Sequence, residues 1–243
     1  LKLTDLEPTD VAEKERLIQS GQMHYSEMIS KENAPTDKHM ELYKKALNQY
    51  KTRYASDVAK LALALKGFYP EQIVFVSLVR AGIPLGVLLH RAVKDLGVTS
   101  HHYGISIIRD RGIDFAALEA IITTHGHENI VFVDGWTGKG AISKELYSNL
   151  KDDPRFPTED GVTRLVTLAD LSGFAWLTAS NEDWLIPSGV LGSVVSGLLS
   201  RSILKEDIDK DAAKENCFDT NYWHSCIHYQ HLQPHDVTQS FIE

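Results

Sequence analysis

Cysteine and long hydrophobic runs are what this chain has least of. Only Cys217 and Cys226 occur in 243 residues, too few for a disulfide framework and in keeping with a reducing, cytosolic location. The N-terminus lacks a basic region followed by an apolar core, so no secretory signal is read there, and Leu1 in place of Met reads as a trimmed start. No apolar run reaches membrane-spanning length. Ile186 to Leu204 comes closest, but Ser and Gly interrupt it and Arg201 lies near its end, so no membrane partner is expected. Positive charge is short as well. With 25 Lys and Arg against 33 Asp and Glu the net charge is -8, which argues against nucleic acid as an obligatory partner. What remains is enough chain for one good core, an α/β domain with additions.

The most informative stretch is Asn129 to Ser143. Ile130 to Val133 reads as a buried strand, and Ala141 through Leu150 returns to helical spacing. Between them Asp134-Gly135-Trp136-Thr137-Gly138-Lys139-Gly140 is a tight, glycine-rich loop. Such a loop sets backbone N–H groups and the positive end of a helix dipole at the C-terminal edge of a sheet, where a phosphate would sit. Asp134 can accept from sugar hydroxyls. A nucleoside-triphosphate loop needs four residues between its glycines and Ser or Thr after its Lys; Gly135 to Gly138 is too short, and Gly140 follows Lys139. A generic strand-to-helix turn rich in Gly is the bland alternative.

A second anion loop precedes it. Ile73 to Val79 reads as a strand buried on both faces, followed by Arg80-Ala81-Gly82-Ile83-Pro84 and a helix to about Leu96. An Arg at a strand end beside a helix N-terminus adds a guanidinium to the dipole. Val98 to Ile108 gives another strand, ending in Arg109-Asp110-Arg111-Gly112, which taken alone is a solvated turn; a helix follows from Phe115 to Thr124. Helices are also expected from Thr36 to Tyr54 and from Val58 to Leu65. His24 to Met28 reads first as a solvated helix start. Arg164 to Asp170 reads as a strand that brings a second carboxylate to the same crevice, with Ser172 on its rim; Asp183 and Trp184 suit the edge and face of a planar base, although Trp184 equally suits core filling. Gly189 to Leu204 reads as a helix with small residues.

The tail from Lys205 carries Cys217, Tyr222, Trp223, His224, Cys226, His228, His231 and His235. Zinc binding and a cysteine nucleophile are conceivable there, but no paired Cys-x-x-Cys is present, and a Cys and His close in sequence do not make a dyad. Structural use is the leading expectation.

In order, these loops resemble the type I phosphoribosyltransferases over roughly residues 70 to 205. Arg80-Ala81-Gly82 is similar to the pyrophosphate loop of the uracil enzymes, and Asp134 to Ala141 to the ribose-5-phosphate loop. Gly135 stands where the pattern usually has a second acid, and Lys139 where it has Thr. More narrowly, Val133 to Gly140, His24 to Met28 and Asp183 to Gly189 resemble a divergent phosphoribosyltransferase-like family of bacterial tellurite-resistance and stress gene clusters, also labelled StiP-type cysteine proteases.

The resemblance implies a doubly wound, mostly parallel α/β fold with N-terminal helices in residues 1–70, a core in 71–205 and a hood-like C-terminal extension in 206–243. It implies binding of 5-phosphoribosyl 1-pyrophosphate or a related phosphate-sugar, with Mg²⁺ carried by the substrate rather than by protein side chains, and a possible homodimer. The expected chemistry is transfer of the phosphoribosyl group to an unidentified base or other nucleophile, with release of pyrophosphate. Asp134, Gly135, Thr137, Gly138, Lys139, Gly140 and Ala141 would hold the ribose 5-phosphate, and Arg80, Ala81 and Gly82 the pyrophosphate. Arg109 and Arg111, on a mobile flap, would join Asp134 as catalytic residues, and Asp170, Ser172, Asp183 and Trp184 would hold the acceptor. The alternatives are a non-catalytic or regulatory nucleotide-binding module and a Cys- or metal-dependent hydrolase using the tail.

Overall fold

The computed structural model describes residues 2–158, 161–191, 199–204, 207, 224–232, 239 and 242–243. In chain order the described elements are β1 (Lys2–Leu3), α1 (Val11–Gln19), a 3-10 turn (Tyr25–Glu27), α2 (Asp37–Phe68), β2 (Gln72–Val79), α3 (Gly82–Asp95), β3 (Thr99–Ile108) and β4 (Gly112–Ile113). There follow α4 (Phe115–His125), β5 (Ile130–Val133), β6 (Trp136–Thr137), α5 (Ala141–Leu150), β7 (Leu165–Thr167), β8 (Ala169–Asp170), β9 (Leu177–Thr178) and α6 (Pro187–Val190). Then come β10 (Ile203–Leu204), β11 (His224–Cys226) and a last 3-10 turn (Gln230–Leu232).

The central sheet has the order β4-β3-β2-β5-β7-β9. Its pairings are parallel except for β3 with β4. Side chains alternate between two cores, as strand geometry requires. Ile73, Phe75, Val131 and Val133 pack with α2 and α3 on one face, while Val74, Val76, Leu78, Ile130 and Phe132 pack with α4 and α5 on the other. The chain winds from β2 outward to β3, then crosses back to β5 and on to β7. The fold is therefore doubly wound, and its switch point lies between β2 and β5, the place where such sheets leave a crevice at their carboxyl edge.

Several expectations change. The two N-terminal helices are one, α2, of 32 residues. Nothing from Tyr54 to Val58 breaks it, because Asp57 takes Lys60 at 3.0 Å and Arg53 at 3.6 Å on its own helix. The strand expected from Arg164 to Asp170 divides at Leu168, whose N–H donates to the Gly135 carbonyl (3.1 Å). Beyond that point β8 leaves the central sheet and pairs with β6 in the loop between β5 and α5. Of the helix expected from Gly189 to Leu204, residues 192–198 lie outside the described ones, and Ile203–Leu204 is strand β10, antiparallel to β11. That small sheet is completed by β1, which pairs with β11 in parallel.

Candidate functional site

Of the helices that reach eight residues, α1, α2 and α4 are capped by side chains: Asp10, Thr36 and Asp114 each accept from first-turn N–H groups. The two that begin at the switch point are not. Neither Ala81 at the start of α3 nor Gly140 at the start of α5 supplies a side-chain cap, so the positive ends of both dipoles open at the switch point without one.

The two loops interlock. A Cβ on Gly82 would stand 2.1 Å from the Val133 carbonyl oxygen, and one on Gly135 would stand 2.8 Å from that of Ala81. Both positions admit only hydrogen, which gives a steric reason for Gly135 where the resemblance has a second acid. Gly140 takes a left-handed φ of 75° that turns the chain into α5. Trp136, Gly138 and Lys139 are the exposed residues of the loop. Below it, Ser77 donates to the Gly82 carbonyl (3.0 Å), so His102 Nε2, 2.8 Å from the same hydroxyl, is the donor to Ser77. Gly86 leaves room for this pair. Burial drives the His102 pKa down to about 4.

Asp134 is buried at the end of β5, and its Oδ1 accepts the Gly135 N–H at 2.8 Å. Burial outweighs that hydrogen bond and pushes its pKa up to about 7. Asp170 has the opposite environment. It accepts from the Thr137 hydroxyl, from the Ser172 N–H and hydroxyl, and from the N–H groups of Gly173 and Ala175. Burial works to raise its pKa, but these donors together hold it below the ordinary value. Asp170, Thr137 and Ser172 thus bond to one another and shape the loop.

Trp136 and Trp184 line one cavity of ≈ 200 Å³ together with Leu171, Asp183, Leu185 and Ile186. The Arg53 guanidinium lies 4.7 Å over Trp184 and donates to Ser180 (3.0 Å) and Glu182 (2.8 Å), tying this wall to α2.

The expected flap is a three-residue turn, 109–111, in the β3–β4 hairpin. Asp110 has φ 64°, and its N–H donates to Glu145 on α5 (2.8 Å). This turn and Arg80 face the segment 24–32. The Arg109 and Arg201 guanidinium groups each lie 5.3 Å from the Tyr25 ring centroid. Glu27 stands 3.6 Å from Arg111, and Glu32 4.0 Å from Arg80. Arg201 donates to the carbonyls of Tyr25, Ser26 and Met28. Ser26 and Met28 are buried. The available signal was the donor-rich run His24 to Met28; nothing local marked Arg201 as its partner.

In the tail, Cys226 is buried in β11 with its thiol pKa raised by burial, the opposite of a reactive thiolate. Cys217, Tyr222, Trp223 and His235 lie outside the described residues. Among the described residues no group of three or more His, Cys, Asp or Glu is placed to hold a metal ion, and no helix is long and apolar enough to cross a membrane.

Fold and site together define a doubly wound α/β protein with two interlocked loops at its switch point. By sequence the chain belongs to the StiP family: the model of the tellurite-like stress resistance cysteine protease StiP matches residues 1–243. It is 58% identical over 244 residues to the cysteine protease StiP of Acinetobacter baylyi, a match that covers 100% of this chain and 63% of that protein. Among solved structures, the hypoxanthine phosphoribosyltransferase of Trypanosoma cruzi with the product IMP is similar at 20% identity and a TM-score of 0.40, covering 56% of this chain and 74% of that one. The xanthine-guanine-hypoxanthine enzyme of Helicobacter pylori gives 18% and 0.39, covering 55% and 84%. The fold assignment here rests on strand order and helix placement.

Membership of the StiP family corrects the expected activity. Phosphoribosyl transfer, the glycosyltransferase class and the nucleotide-metabolism role that went with them are set aside in favour of that family. The tellurite-resistance and stress-response association fits the family's description.

Proposed function

We propose that this chain is a binding module for a phosphate-sugar or nucleotide, without group transfer, within a StiP-family protein. The observation that carries the reading is that α3 and α5 open on the switch-point crevice without side-chain caps, whereas α1, α2 and α4 have them. In this reading the backbone N–H groups from Gly138 to Ala141, with Lys139, take a terminal phosphate. Asp134 accepts sugar hydroxyls, and Arg80 with the N–H groups of Ala81 and Gly82 takes a second anionic group. The Trp136 and Trp184 cavity, with Asp183 at its wall, takes a planar ring. Thr137, Asp170 and Ser172 hold the loop in shape through their mutual hydrogen bonds. Mg²⁺ enters on the ligand's phosphates.

Isothermal titration of ribose 5-phosphate, 5-phosphoribosyl 1-pyrophosphate and nucleoside monophosphates, with and without Mg²⁺, tests this reading. Binding that is lost in Lys139→Glu supports it, and no binding by the folded chain to any of them overturns it.

The family description favours a second reading, thiol-dependent proteolysis. Within this chain it falls on Cys217, since Cys226 is buried with a raised pKa. The chain spans 63% of the length of the curated relative, so proteolysis belongs to the whole protein's repertoire as a proposal. Casein cleavage that survives Cys217→Ala removes Cys217 as the nucleophile.

A further inference from the structure

For most of its length β3 is an edge strand. Its ten residues, Thr99–Ile108, pair in parallel with β2 from Thr99 to Ser106, whereas β4 pairs only with Ile107 and Ile108 on the other side. Backbone direction decides which groups are left over. The Thr99 N–H donates to the Glu71 carbonyl (3.0 Å), toward β2, and the Ser106 carbonyl accepts from the Asp114 N–H (3.0 Å), away from it. With the strand period of two, Thr99, His101, Tyr103 and Ile105 turn their backbone groups to β2, and Ser100, His102 and Gly104 turn theirs outward. Among the described residues no strand pairs with these three on that side.

Open edges are normally blunted by Lys, Pro, a bulge or an inward charge. The β3 sequence has no Lys, Arg, Asp, Glu or Pro, its register with β2 runs without a bulge, and Tyr103 and Gly104 are exposed. On its α4 face the side chains are aromatic: the rings of His101 and His125 have centroids 4.2 Å apart, and the Tyr103 hydroxyl lies 2.7 Å from His125 Nε2. On its α3 face His102 is bonded to Ser77 (2.8 Å) and Ser100 to His90 (3.0 Å). Burial holds the His102 pKa at about 4, so its ring is uncharged at neutral pH. Two copies of a chain of net charge -8 repel one another, and a strand without charged side chains is where they can approach.

We propose that β3 pairs antiparallel with β3 of a second copy of this chain, about a two-fold axis at His102, so that two six-stranded sheets become one. The register follows from the edge itself. Only Ser100, His102 and Gly104 are open, so a pairing that uses all three sets Ser100 opposite the partner's Gly104 and His102 opposite the partner's His102. Each such pair exchanges two N–H···O=C bonds, and the same patch serves on both copies, as a closed two-fold interface requires. Between them His101 faces the partner's Tyr103 at the closer, non-hydrogen-bonded spacing, an aromatic cross-strand pair that forms twice. An unrelated peptide gains the backbone bonds without that repeated pair, which makes a second copy the occupant. The pairing does not depend on what the crevice binds.

The test is sedimentation velocity of the full chain over a concentration series, with residue-resolved hydrogen exchange at its two ends. Wild type is expected to associate reversibly to a dimer. As it does, the amides of Ser100, His102 and Gly104 should gain protection, while those of His101 and Tyr103, directed at β2 in either state, stay constant. Tyr103→Lys replaces both aromatic pairs at once and is expected to weaken the dimer about tenfold. Adding His101→Glu, which sets a carboxylate opposite each new lysine, is expected to restore it. Leu42→Lys, at an exposed apolar position on α2, is expected to leave the dimer unchanged. A chain that stays monomeric throughout overturns the proposal, and so does a dimer that forms without protecting Ser100, His102 and Gly104, that survives Tyr103→Lys, or that Leu42→Lys abolishes. A double variant that remains monomeric while wild type pairs overturns the register at His102. The exchange measurement on wild type needs no variant to fold.

Discussion

The two sides of the crevice are built on different principles. The side around Asp134 is rigid: glycines packed against carbonyl oxygens, a loop tied by Thr137, Asp170 and Ser172, and a buried carboxylate with no cationic partner among the described residues. The arginine side is assembled from three distant stretches, 24–32, 80–111 and 199–204, through partly exposed ion pairs and ring contacts. The first holds its shape through backbone geometry that salt does not screen. The second holds it through charges, which salt weakens and a ligand can exchange.

That contrast can be broken from the rigid side first. Gly82→Ala forces a methyl against the Val133 carbonyl, 2.1 Å from the ideal Cβ position, and should cost about 3 kcal/mol in urea unfolding. A variant as stable as wild type would show that the loops are not interlocked.

Next in size is Asp134→Asn. A folded pKa raised to about 7 means that the native carboxyl holds its proton where the unfolded one has lost it. The stability tied to that proton is fully present below about pH 4 and is lost as pH rises through 7. The amide should therefore stabilise the fold at pH 8 and leave it unchanged at pH 4. His102 runs the other way. Its folded pKa is depressed to about 4, so its contribution is present above about pH 6.5 and is lost as pH falls toward 4. His102→Gln should flatten that acid limb in a stability–pH series.

On the arginine side Arg201→Leu removes the donor to three carbonyls of the docked segment and a cation beside the Tyr25 ring. The expected cost is about 1.5 kcal/mol, with faster hydrogen exchange confined to residues 24–32. The smallest effect is that of Glu182→Gln, whose pair with Arg53 is exposed: about 0.5 kcal/mol or less, vanishing at 1 M salt.

How much of this was legible follows from the same division. The boundaries of α5 (Ala141–Leu150) could be read directly, because the strand, its glycine stop and the helical period are neighbours in sequence. The hydrogen bonding of Asp170 could not, since its donors were recognisable only once β8 was known to pair with β6 instead of extending β7. The His24 to Met28 run was read as solvated because its burial depends on Arg201, more than 170 residues away. Gly135 was legible as a departure from the family pattern, but its cause, the Ala81 carbonyl, belongs to another loop. The activity suggested by the two loops was the reading that family membership overturned.

The sequence by itself determined the class of fold and the position of both loops, because apolar runs, glycines and helical spacing act over a few residues and need no partner. Only the tertiary structure decided what faces those loops. Which carboxylate stays buried alone, which is saturated with donors and which arginine meets which glutamate are contacts between distant segments, set when the sheet reverses its winding between β2 and β5.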